Sequence, residues 1–148
     1  MNLRQEFFSR EILEDSMQLA DLVKLNDEEL PRIMKLFGLD HHNEIASANA
    51  LMERHRLKLI CVTRGQRGSL LLTPQGLHEH PGYHIQVADT VGAGDAFTAG
   101  LVSEYMKGSS LTEMNETANR VGAWVASQIG AMPSPGRSGI RAEMKRVG

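Results

Sequence analysis

The seven residues Leu57-Lys58-Leu59-Ile60-Cys61-Val62-Thr63 constrain the fold more than any other stretch. Apart from Lys58 the run is apolar on both of the faces a strand would present, so neither face suits water. A strand with one wet face alternates apolar and polar residues, whereas a strand covered on both faces reads as a continuous apolar run. The stretch therefore predicts a strand in a parallel sheet with helices packed over it.

The neighbouring segments agree with this reading. Ala20 to Asn26 is a second short apolar run. Helical spacing follows through Leu30, Ile33, Met34, Leu36 and Phe37 and ends near Gly38. A further helix is predicted from Glu44 to His55, with Ile45, Ala48, Leu51 and Met52 on one face. Beyond the central run, Gly68 to His80 reads as two strands joined at Thr73-Pro74-Gln75-Gly76, residues suited to a tight reversal. His84 to Asp89 alternates like a strand. Two helices complete the pattern, Ala93 to Lys107 and Leu111 to Ile129, before a loop-rich tail from Met132. Strands interleaved with helices predict one α/β layered domain over residues 1–148.

Composition narrows the function classes. A length of 148 residues with 41% hydrophobic and 23% charged residues describes an ordinary globular chain. A net charge of −2 supplies no basic field, so no nucleic-acid partner is expected. No apolar run reaches the length of a membrane span, and Met1 to Glu6 leads into no apolar signal core. The single cysteine, Cys61, suits a reducing compartment and reads as a small buried hydrophobe in mid-strand. A cytoplasmic location is expected.

The chemistry concentrates in Asp89-Thr90-Val91-Gly92-Ala93-Gly94-Asp95-Ala96-Phe97. Glycines at 92 and 94 let the backbone approach a ligand closely. Peptide N–H groups at a helix start favour an anion, and the same field favours a carboxylate such as Asp95 in the first turn. A carboxylate beside an anion nest can take a hydroxyl proton while the amides hold a transferring phosphoryl group. The same residues also fit a plain strand-to-helix turn with an acid in its first turn. Two better-known glycine motifs are excluded: Phe97 stands where a dinucleotide fingerprint needs its third glycine, and no Gly-Lys-Ser/Thr is present.

Asp89, Thr90, Gly92, Ala93, Gly94, Asp95, Phe97 and Gly100 fall in step with the C-terminal motif of ribokinase-like (PfkB) carbohydrate and nucleoside kinases, which this chain resembles. The resemblance implies the C-terminal part of a three-layer α/β/α fold with a mostly parallel central sheet. It implies Asp95 as catalytic base acting on the substrate hydroxyl, and Gly92, Ala93 and Gly94 as an anion hole. It also implies ATP and Mg2+ as cofactors.

Other stretches are read in the same light. Asn26 and Glu29 form Asn-x-x-Glu, which is a helix capping box and, in the resembled family, a motif beside the phosphates and a magnesium ion held through water. Thr63, Gly65 and Gly68 form Thr-x-Gly-x-x-Gly, a glycine turn that in the family lies along the nucleotide phosphates. Thr63 and Asp89 would stand at carboxyl ends of strands, where open α/β sheets bind ligands. By resemblance, Asn119 falls near adenine or ribose, and Asp89 and Ser134 fall near a monovalent cation such as K+. Arg4, in Asn2-Leu3-Arg4, falls near substrate in fructokinase-like members. Trp124 shares an apolar stripe with Val121, Val125 and Ile129 and reads as core. The six histidines lack metal-ligand spacing and read as solvated surface residues.

The resemblance covers only the C-terminal half of the family fold. The N-terminal half of that fold carries most sugar contacts and a sheet lid. Without it, catalysis by this chain alone is in question, and a nucleotide-binding fragment or subunit is the alternative. An apolar edge left at Ala20 to Lys24 would favour homo-oligomers or association with the missing half.

Overall fold

A computed structural model describes residues 8–39, 43–130 and 133–134. They group into two compact units, Met1–Gly65 with Leu70–His78, and Gln66–Ser69 with Glu79–Gly148.

The first unit contains helices α1 (Arg10–Gln18), α2 (Glu29–Phe37) and α3 (Glu44–His55) and strands β1 (Leu22–Asn26) and β2 (Leu59–Thr63). It also holds most of the hairpin of β3 (Ser69–Thr73) and β4 (Gly76–His80), whose remaining residues belong to the second unit. The sheet runs in the order β1-β2-β3-β4. β1 and β2 pair in parallel, with Leu22 opposite Leu59 and Asn26 opposite Thr63.

Alternation along the strands explains why both faces are dry. Val23, Leu25, Ile60, Val62, Leu70 and Leu72 join one core with Leu13 and Met17 of α1, Leu30, Ile33, Met34 and Phe37 of α2, and Ala48, Leu51 and Met52 of α3. Leu59, Cys61 and Leu71 point the other way and are also fully buried. Burial pushes the Cys61 thiol up to about 12, so it stays a protonated, inert hydrophobe as expected.

Helix α1 was not anticipated from the sequence. Its start was legible: the Ser9 hydroxyl accepts from Ile12 N–H at 3.3 Å. Asn43 caps α3 in the same way through Ala46 N–H at 2.7 Å.

His55 ends α3 and corrects the expectation of solvated histidines. It is 6% exposed, tilted against the Phe37 ring at 5.3 Å, and its Nε2 has no hydrogen-bond partner among the described residues. Desolvation, aided by the Arg54 charge, holds its pKa below the ordinary 6.5. Below that pH the unfolded chain takes up a proton that the folded chain resists, so stability falls as pH drops. His55→Leu removes the unsatisfied group and should raise stability by about 1 kcal/mol, or about 2–4 °C in Tm. It should also flatten the loss of stability between pH 7.5 and 5.5. Thermal melts at the two pH values check this, and a lower Tm at both would count against it.

The second unit is built on helices α4 (Ala93–Lys107) and α5 (Leu111–Ala126). The two pack closely through small residues: a Cβ on Gly100 would lie 3.2 Å from Ala118 Cα, and one on Gly122 would lie 3.3 Å from Ala93 O. Gly100 of the glycine-rich motif thus serves helix packing. Ser110 and Glu113 form a complete capping box at the start of α5. Trp124 and Val125 pack with Tyr83, Ile85, Ala93 and Ala96, so Trp124 is core as expected. Ile129 is not: α5 stops at Ala126, and Ile129 is 88% exposed.

The expected strand from His84 to Asp89 does not form. The N–H groups of Ala88 and Asp89 both donate to Ala126 O, at 2.9 and 3.2 Å, so the segment is tied to the end of α5 instead of to a sheet. Its alternation reflects one inward residue, Ile85, that packs against the Trp124 cluster.

Candidate active site

The parallel pairing of β1 and β2 brings Asn26 and Thr63 side by side at the carboxyl ends of their strands. Asp27 N–H donates to Thr63 O at 3.0 Å, and the Thr63 hydroxyl donates to Leu25 O at 3.2 Å. The chain then turns into α2 through a reciprocal cap. Asn26 Oδ1 accepts from Glu28 N–H at 3.0 Å and Glu29 N–H at 2.7 Å, while Glu29 Oε2 accepts from Asn26 N–H at 2.9 Å. Glu29 is buried, and the residue makes a further interaction beyond these bonds. The reciprocal bonds of a capping box are therefore present between Asn26 and Glu29, with Asn26 two residues ahead of the α2 N-cap Glu28, whose own side chain makes no cap bond.

After Thr63 the chain makes one 3-10 turn, Gly65–Arg67. Arg64 is turned back onto α3, where its Nε donates to Glu44 Oε2 at 2.8 Å. Gly65 has φ +59 and open space around it. Gly68 is different: with φ +79, a Cβ there would sit 1.9 Å from His80 O and 2.4 Å from Gly82 N. Its lack of a side chain admits a crossing of two backbone segments, which is a demand of the fold.

In the second unit, Asp89 organises the approach to α4. Its Oδ1 accepts from Val91 N–H at 3.0 Å, and its Oδ2 accepts from Gly130 N–H at 3.2 Å. The carboxylate thus ties the motif to the loop after α5. Gly92 stands at the N-cap with φ +81 and carries no capping side chain. Ala93 N–H is taken by Thr90 O at 3.3 Å, whereas the N–H groups of Gly94 and Asp95 have no partner among the described residues. Asp95 is exposed in this first turn, and its carboxylate likewise has no partner among the described residues. An uncapped helix start with an exposed carboxylate can accept a proton and hold an anion in one place.

Asn119 is buried in α5. Its Nδ2 donates to Ser69 Oγ at 2.7 Å, to Asn115 O at 2.8 Å and to Asn115 Oδ1 at 2.9 Å. Ser134 is exposed. Arg4 lies outside the described residues, as do His41 and His42. No group of three or more His, Cys, Asp or Glu among the described residues forms a metal cage. No described helix is long and apolar enough to cross a membrane.

Residues 1–136 match the pfkB family of carbohydrate kinases. The chain belongs to that family. It is 29% identical over 128 residues to the ATP-dependent ribose-1-phosphate kinase of Halopiger xanaduensis, covering 86% of this chain and 40% of that protein. It is also 29% identical over 154 residues to the fructokinase of Escherichia coli, covering 96% and 48%. The aminoimidazole riboside kinase of Salmonella enterica, solved with aminoimidazole riboside and an ATP analogue, superposes with a TM-score of 0.76 at 25% identity. That match covers 97% of this chain and 50% of that one. The fold is therefore ribokinase-like α/β with a mixed sheet, and the chain spans at most half the length of these relatives.

Proposed function

We propose that residues 1–148 form the C-terminal, nucleotide-binding part of an ATP-dependent carbohydrate kinase that phosphorylates a sugar hydroxyl in the cytoplasm, with fructose-like sugars favoured. The observation that carries this reading is Asp95, an exposed carboxylate at an uncapped helix start inside the family's glycine motif. In this role Asp95 takes the proton of the acceptor hydroxyl, while Gly92, Ala93 and Gly94 present backbone dipoles to the transferring phosphoryl group. Ala93 N–H is already bonded to Thr90 O, so the donors this reading uses are those of Gly94 and Asp95, unpartnered among the described residues.

Asn26, Thr63, Gly65 and Gly68 border the phosphates in this reading, and Asn119 lies on the nucleoside side. The residues present fit magnesium only as an ion carried mainly by phosphate and water, because the Glu29 carboxylate already serves the α2 cap. Magnesium supplies charge neutralisation on the phosphates when bound, and Glu29 would reach it through water. Both Asp89 oxygens keep a lone pair beyond the N–H each accepts, which fits a contribution with Ser134 to a monovalent cation such as K+. Arg4 is assigned to the substrate side.

The second reading is a nucleotide-binding fragment or subunit without turnover of its own. Calorimetry with MgATP and a coupled ADP-release assay over a sugar panel separate the two. Sugar-stimulated release supports the kinase; binding alone supports the subunit; no binding overturns both. β1 lies at the edge of the described sheet, and an open strand edge templates pairing. The chain is accordingly expected to elute as a dimer or larger species, or with a partner chain. A clean monomer on size-exclusion chromatography would refute that.

A further inference from the structure

Four side chains of the second unit have no part in the nucleotide, substrate and cation roles assigned above: His80, Tyr83, Glu116 and Arg120. His80 is 8% exposed, the second histidine to depart from the solvated surface expected of it. Its Nδ1 accepts from Gly82 N–H at 2.9 Å, which assigns the proton of the neutral ring to Nε2, 3.0 Å from Glu116 Oε2. Glu116 also accepts from the Tyr83 hydroxyl and from Arg120, whose guanidinium lies 5.3 Å over the Tyr83 ring. Partial burial raises the Glu116 pKa, but bonds from Tyr83, Arg120 and His80 outweigh it and hold the group at about 2. Glu116 thus remains an acceptor at neutral pH.

The cluster bears on one piece of backbone. A Cβ on Gly82 would meet Gln66 O at 2.6 Å and Gly68 N at 2.9 Å, so the segment that His80 fixes lies directly against Gln66–Gly68. On the other flank of that turn, Ser69 Oγ donates to Asn115 Oδ1 at 2.5 Å and accepts from Asn119. Both flanks are therefore tied to α5.

We propose that His80 is a positioning residue that couples α5 to the Gln66–Gly68 turn and so sets where the turn's backbone meets a nucleotide phosphate. This rests on the reading of that turn as a phosphate border. The bond that matters is the one from Gly82 N–H to Nδ1. If it is lost, a part-buried donor goes unsatisfied and the Gln66–Gly68 turn relaxes. Nucleotide must then re-impose the arrangement, and affinity drops by the population of the competent state.

Two substitutions separate positioning from bulk packing. His80→Asn keeps an acceptor for the N–H two residues on, as in an Asx-turn, and gives up Glu116. His80→Gln keeps a donor for Glu116 and gives up Gly82. Calorimetry with MgATP on the full chain should find the Asn variant within about twofold of wild type and the Gln variant weaker by about tenfold. Amide exchange at Gly68 and Gly82, followed by NMR without nucleotide, should be faster by about tenfold in the Gln variant only. Equal affinity in all three proteins, or equal loss in both variants, overturns the proposal. If the wild type binds no MgATP, the phosphate reading falls with its part of the proposal. The exchange arm then decides the positioning role, and equal exchange in the two variants overturns that too.

Discussion

Asp95→Asn should lower sugar-stimulated ADP release by about 10²–10⁴-fold, the usual contribution of a positioned general base. The replacement has the same shape but cannot accept the hydroxyl proton. Because Asp95 is exposed and its carboxylate has no partner among the described residues, the fold loses little. The change in helix-dipole interaction is worth about 0.3–1 kcal/mol. MgATP affinity should stay within about twofold, since the carboxylate is assigned to the acceptor and not to the nucleotide. A coupled assay on the active protein and calorimetry on the same preparation supply the two readings. A rate within threefold of wild type would remove Asp95 from the mechanism.

The largest expected effect on stability is that of Gly68→Ala. The new methyl would have to occupy space 1.9 Å from His80 O, 2.4 Å from Gly82 N and 2.6 Å from Pro81 C, all backbone atoms that no rotamer change can move. The left-handed φ of +79 adds strain of about 1–2 kcal/mol to this clash. The sum should exceed about 4 kcal/mol, in the exceptional range for one substitution. Gly65→Ala, three residues earlier in the same turn, meets nothing within 4 Å at φ +59 and should cost only the backbone strain. Urea unfolding of the two variants beside wild type checks the contrast. Similar midpoints for both would contradict the crossing at Gly68.

The boundaries of α3 and α4 coincide with those expected from the sequence, because apolar spacing and terminal glycine or asparagine signals act locally. The Asn26–Glu29 cap was legible for the same reason: all of its partners lie within three residues. His84 to Asp89 misled because alternation records only which side chains turn inward. Where the backbone N–H groups go was settled by Ala126, far along the chain. Glu116 and Arg120 carried a visible i,i+4 signal, but His80 and Tyr83 reach them only through the hairpin and the turn after it.

The chain order alone determined the α/β class, the buried parallel pair and the glycine motif with its acid, since each is written in neighbouring residues whose period or spacing has one physical meaning. Only the tertiary structure decided that Gly68 serves a backbone crossing and that His55 and His80 lie inside. It likewise turned Asn119 onto Ser69 and left Asp95 facing outward. Those outcomes depend on contacts between segments distant in sequence, where steric exclusion and the need to satisfy buried polar groups, and not local preference, select the arrangement.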